Sequence, residues 1–93
     1  MRLQLHGSDA FTAWISAAET TEWARRWPCS AFRGRRVRVS YDSNGLYDYT
    51  VNGRCPDVDA HELSALVCSL VGPRLDPGHP AYFVAVGQFE GNA

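Results

Sequence analysis

Two alternating segments flanking a turn constrain this chain most tightly: Arg36-Val37-Arg38-Val39-Ser40-Tyr41 and Tyr47-Asp48-Tyr49-Thr50-Val51, joined by Asp42-Ser43-Asn44-Gly45-Leu46. Successive side chains of a strand point to opposite faces, so each segment gathers its bulky apolar groups on one side. The polar, glycine-containing joint makes them a hairpin. Parity then selects the loop length. A two-residue loop at Asn44-Gly45 pairs Val39 with Thr50 and splits the apolar face. A three-residue loop, Ser43 to Gly45, pairs Tyr41 with Tyr47, Val39 with Tyr49 and Val37 with Val51, with Gly45 in the left-handed position of a bulged turn. The other face, carrying Arg36, Arg38, Ser40, Asp48, Thr50 and Asn52, is expected to face water.

The rest of the chain supplies partners for that hairpin. Leu3 and Leu5 alternate with Arg2, Gln4 and His6, which suits a short strand, and Gly7-Ser8-Asp9 marks a turn. Ala10 to Ile15 fits a strand through Phe11, Ala13 and Ile15 and a helix through Phe11, Trp14 and Ile15. The strand is preferred because a better helix start follows at Ser16-Ala17-Ala18-Glu19, a capping box. That helix is expected from about Ala17 to about Arg26. Trp23 and Trp27 then lie one turn apart, Arg25 and Arg26 meet the negative end of the dipole, and Pro28 stops it. A second capping box, Asp59-Ala60-His61-Glu62, opens a helix whose Leu63, Leu66, Val67, Leu70 and Val71 form an apolar stripe, with Val58 stapled onto Leu63 and Gly72-Pro73 at the end. The nearly all-apolar run Ala81 to Phe89 suits a strand covered on both faces. The expectation is one α+β domain over residues 1–93, with two helices packed on a mostly antiparallel sheet in the order β-β-α-β-β-α-β.

Ninety-three residues suit one core. Three cysteines, Cys29, Cys55 and Cys68, are an odd and sparse set for a disulfide scaffold. The first residues lack the apolar run of a signal peptide, and nothing approaches the ~18 apolar residues of a membrane span. A reducing, cytoplasmic setting follows as the expectation, with no membrane involvement.

Catalytic and metal chemistry find little to stand on. Neither Cys-x-x-Cys nor a closely spaced histidine pair is present, and His61 and Cys68 lie seven residues apart, about 10 Å along a helix. Small buried thiols and surface imidazoles explain these residues better. No Gly-x-Ser-x-Gly, phosphate loop or His-Glu-x-x-His occurs, and Glu19, Asp59 and Glu62 are accounted for as helix caps. No catalytic residue, metal site or cofactor is expected.

Binding chemistry is better represented. All nine basic residues are arginines, six of them (Arg25, Arg26, Arg33, Arg35, Arg36 and Arg38) within fourteen residues and interleaved with Trp23, Trp27 and Phe32. A guanidinium offers a planar fork of donors to carboxylates or phosphates. Arginine with aromatics suits both a protein hot spot and a grip on single-stranded nucleic acid. Against this, GC-rich coding also favours arginine, the helix end accounts for Arg25 and Arg26, and the net charge is −1.

The spaced residues Ser16, Thr20, Trp23-Ala24, Trp27-Pro28-Cys29-Ser30, Asp42-Ser43-Asn44-Gly45-Leu46, Asp48, Glu62-Leu63-Ser64-Ala65, His79-Pro80 and Val86-Gly87-Gln88-Phe89 resemble a family of small bacteriophage and prophage proteins of uncharacterised function. That resemblance implies an accessory protein made in a bacterial host cytoplasm. By analogy of setting alone, it implies one that blocks a host machine as anti-CRISPR proteins do.

Three functions remain in view. The first is a non-enzymatic accessory protein, monomeric or homodimeric, that binds a host protein or nucleoprotein complex. The second is a single-stranded nucleic-acid-binding protein. The third is a structural or assembly protein of the virion. The candidate binding residues are Arg33, Arg35, Arg36, Arg38, Trp27 and Tyr49.

Overall fold

The computed structural model describes residues 1–7 and 9–78. Among them are β1 (Arg2–His6), β2 (Ala10–Ile15), α1 (Ala17–Trp23), β3 (Val37–Asp42), β4 (Gly45–Val51) and α2 (Ala60–Leu70), then a short 3-10 turn at Gly72–Arg74. The strands form an antiparallel sheet in the order β1-β2-β3-β4. This is the expected α+β arrangement as far as α2. The strand expected at Ala81 to Phe89 lies outside the described residues.

Alternation builds the core as parity requires. Phe11, Ala13 and Ile15 of β2, Val37, Val39 and Tyr41 of β3, and Val51 of β4 share one face and join Trp23, Phe32, Leu63, Leu66, Val67 and Val71 in one apolar cluster. Both helices therefore cover the same side of the sheet. The Tyr41 ring stacks on Phe11 at 5.3 Å.

The hairpin departs from expectation at its tip. Val37↔Val51, Val39↔Tyr49 and Ser40↔Asp48 pair as parity demands, but the register shifts between Ser40 and Tyr41. Tyr41 then opposes Leu46, and Asp42 opposes Gly45. The loop is Ser43-Asn44, stabilised by the Asn44 N–H donating to the Asp42 carboxylate at 2.8 Å. Tyr47 is the extra residue, 58% exposed instead of packed on Tyr41.

Both helices start as predicted and differ afterwards. Ser16 and Glu19 form the full capping box of α1. The helix ends at Trp23, shorter than the run to Arg26, because Arg25, Arg26 and Trp27 donate three residues back and tighten the chain into 3-10 turns before Pro28. Asp59 caps α2 by accepting from His61 and Glu62. Glu62 does not complete a second box. Its carboxylate accepts from the Ser30 hydroxyl at 2.8 Å and the Ala31 N–H at 2.9 Å, fastening the segment after α1 to the start of α2.

Candidate functional site

The sheet face away from the helices carries a row of side chains across all four strands. Arg2 opposes Trp14, Trp14 opposes Arg38, and Arg38 opposes Thr50. The Arg2 guanidinium lies over the Trp14 ring, 4.5 Å from its centroid. This row borders a groove of about 430 Å³ whose walls include Arg2, Trp14, Arg36, Arg38, Thr50 and Gly53.

Gly53, which lines the groove, belongs to a tight turn. Asn52 and Gly53 have φ of 53° and 78°, the two successive left-handed residues of a type I′ turn. The turn is closed by reciprocal backbone bonds between Val51 and Arg54. Asn52 also holds Arg36: its N–H donates to the Arg36 carbonyl at 2.8 Å, and its side-chain oxygen accepts from the Arg36 N–H at 2.9 Å. The Asn-Gly pair was a legible turn signal that the alternation of β4 overshadowed.

A second row behind the first is hydrogen-bonded throughout. His6 Nε2 lies 2.8 Å from the Thr12 hydroxyl, which lies 2.9 Å from the Ser40 hydroxyl. Ser40 also accepts from Arg38 at 3.3 Å, and Arg38 donates to Asp48 at 2.7 Å. Ser40 and Thr12 are 3% and 7% exposed, so this part of the face is not wet as alternation suggested. Their hydroxyls satisfy one another, which makes burial tolerable. The hydrogen bond from Arg38 holds the Asp48 carboxyl below its ordinary value.

The candidate residues from sequence are not gathered in one place. Arg33 and Arg35 are exposed in the segment before β3, and Arg36 is exposed at the groove. None of their side chains has an ion pair or hydrogen bond among the described residues, whereas Arg25 pairs with Glu22 and Arg38 with Asp48. The backbone beneath is fixed: buried Thr20 donates to the Arg35 carbonyl at 2.8 Å, and Arg35 N–H donates to the Phe32 carbonyl at 2.9 Å.

Trp27 and Tyr49 lie elsewhere. Trp27 stacks on Trp23 at 5.1 Å and packs against the core. Tyr49 stands on the helix side of β4, its hydroxyl donating to the Pro56 carbonyl at 2.5 Å. Partial burial, with Cys55 and Asp57 nearby, pushes its phenol up. Both aromatics are engaged in packing on the opposite side of the sheet from Arg38. The aromatic that does accompany the arginines is Trp14, with Arg2; alternation placed each on a strand, but their meeting depends on strand register.

Cys29 and Cys55 are exposed and Cys68 half-buried, none of them in a disulfide among the described residues, so the expectation of buried thiols fails for the first two. No group of three or more His, Cys, Asp or Glu among the described residues is arranged to hold a metal ion. No helix there is long and apolar enough to cross a membrane. Comparison of the chain with protein-family models, curated proteins and solved structures finds no match to any of them.

Proposed function

We propose that this chain is a non-enzymatic binding protein that engages an anionic macromolecular partner through the arginines leading into β3. One observation carries the reading: Arg33, Arg35 and Arg36 project from a hydrogen-bonded backbone with no carboxylate of the described chain to neutralise them. Guanidiniums on a fixed backbone lose less freedom on binding, so more of each interaction survives as affinity. Local charge of one sign also speeds encounter with an opposite surface even when the whole chain is near neutral. Taken with the resemblance to small phage proteins, the reading extends to a partner in the bacterial host and to a role as a counter-defence inhibitor.

The test is capture from bacterial lysate by immobilised wild type and by Arg33→Glu plus Arg35→Glu, with circular dichroism confirming the fold of the variant. A partner held by wild type and lost by the variant is expected. Equal capture by both overturns the reading.

A further inference from the structure

Resting on that reading of an arginine surface, we infer that the partner is single-stranded nucleic acid and that one of its nucleotides seats in the groove bounded by Arg2, Trp14, Arg36 and Arg38.

Charge selects an anion. Three arginines and no acidic residue are among those that line the groove. Asp48 lies behind Arg38, spending one of its donor edges while Ser40 takes another. Arg38 is therefore offset by Asp48, and the exposed Arg2 and Arg36 are the groups with charge and donors to offer. The Arg2 guanidinium carbon sits over the Trp14 ring, a cation–π contact that uses none of its N–H donors. Its N–H groups lie in the plane and stay available to phosphate oxygens.

Shape and aromaticity select the kind of anion. Adjacent strands are about 4.8 Å apart, so Arg2 and Arg38, two strands apart, bracket Trp14 across about 10 Å. A volume of about 430 Å³ is at the small end of ligand sites and suits a single nucleotide. A base laid on the Arg2 guanidinium extends the contact begun by Trp14. Arginine planes and aromatic rings are the surfaces on which single-stranded bases lie. Bases within a duplex are stacked and cannot enter a concave pit. An acidic peptide would use the guanidiniums and gain nothing from the indole.

The test is fluorescence anisotropy with a labelled oligothymidylate of about ten nucleotides, within the usual site size of single-strand binders. Wild type is compared with Arg2→Gln, Trp14→Leu and Arg33→Glu plus Arg35→Glu. Arg2 is exposed, so its variant keeps the test valid if Trp14→Leu folds poorly. Binding at low salt is expected to weaken by about 0.7 log units per contacted phosphate for each log unit of salt. Arg2→Gln and Trp14→Leu are each expected to weaken it about tenfold, within the range measured for stacked bases. A duplex of the same length is expected to bind less well. Oligoglutamate binding as tightly, with Trp14→Leu harmless, overturns the nucleotide site and leaves the arginine surface standing. So does failure to bind oligothymidylate at low salt while lysate capture still depends on Arg33 and Arg35. Failure of both measurements removes the surface itself.

Discussion

The Glu62 carboxylate, at the first turn of α2, accepts from the hydroxyl of Ser30, 32 residues earlier in the chain, at 2.8 Å. The same oxygen accepts from the Ala31 N–H, and the Phe32 N–H donates to the Ser30 hydroxyl. One carboxylate thus orders the turn from which the arginine segment departs. Hydrogen bonds to charged groups contribute about 1.5–3 kcal/mol where buried, and less where water reaches them. Glu62→Ala is expected to cost about 1–2 kcal/mol in urea denaturation, and Glu62→Gln about half as much. Amide exchange at Ala31 and Phe32 should quicken in both variants. Unchanged exchange at those amides would show that the contact orders nothing.

Thr12 and Ser40 should be energetically coupled. Their hydroxyls are 2.9 Å apart and almost wholly buried, with His6 and Arg38 as outer partners. Removing one hydroxyl leaves the other short of a partner, a loss of about 1–3 kcal/mol for a buried polar group. Removing both removes the deficit as well as the bond. Thr12→Val with Ser40→Ala should therefore be less destabilised than the two single variants added together, by about 0.5–1 kcal/mol. Additive losses in a double-mutant cycle would count against the network.

Asp48 gives the acid limb of the stability curve a specific contributor. The hydrogen bond from Arg38 lowers its folded-state pKa relative to the unfolded chain. A depressed value means that the ionised form is favoured in the fold. Its stabilising effect is present above the ordinary carboxylate range and is lost as pH falls through the folded value, in a window that opens at that range and extends below it. The carboxyl is exposed, so the effect is small and is screened by salt. Asp48→Asn should flatten the fall of the unfolding midpoint over that window at low salt. Parallel acid limbs in the variant and wild type would remove the assignment.

The hairpin was legible where burial enforces it and illegible where it does not. Shifting Val37, Val39, Tyr49 or Val51 by one residue would turn it from core to solvent, so the stem register followed from parity. At the tip no such penalty applies. An extra residue at Tyr47 with a two-residue loop keeps the same stem as a three-residue loop without it, and Tyr47 ends in solvent. The groove was legible only in its parts. Arg2 and Trp14 meet through the β1–β2 register, and Trp14 meets Arg38 across the whole connection from Ser16 to Arg36. Alternation names the face of each residue but not its neighbour. Trp27 and Tyr49 stand apart from the arginines for a related reason: an aromatic side chain suits a core edge as well as a contact surface.

Gly53 should resist substitution although space surrounds it. A β-carbon there meets no atom within 4 Å, so packing raises no objection. Its φ of 78° is the obstacle, because a side chain in the left-handed region costs about 1–2 kcal/mol. Gly53→Ala should lower stability by about 1 kcal/mol in urea denaturation. It should also loosen the Arg36–Asn52 pair, seen as faster exchange of the Arg36 amide. An alanine variant as stable as wild type would mean that the turn accommodates the side chain at no cost.

Tyr41 should govern stability at the alkaline end. Its side chain is 1% exposed, and burial pushes the phenol up to about 12, with the Ser64 hydrogen bond pulling the other way. A raised value means that the fold holds the proton more tightly than the unfolded chain does. The stabilising effect is complete below the unfolded value of about 10 and is lost as pH rises toward the folded one. Tyr41→Phe keeps a ring on Phe11 and removes the ionisable hydroxyl. Its urea midpoint should then fall less than that of wild type between about pH 9 and about pH 11, the interval in which an unfolded tyrosine ionises. Equal falls would place the alkaline sensitivity on another group and show that Tyr41 ionises without opening the core.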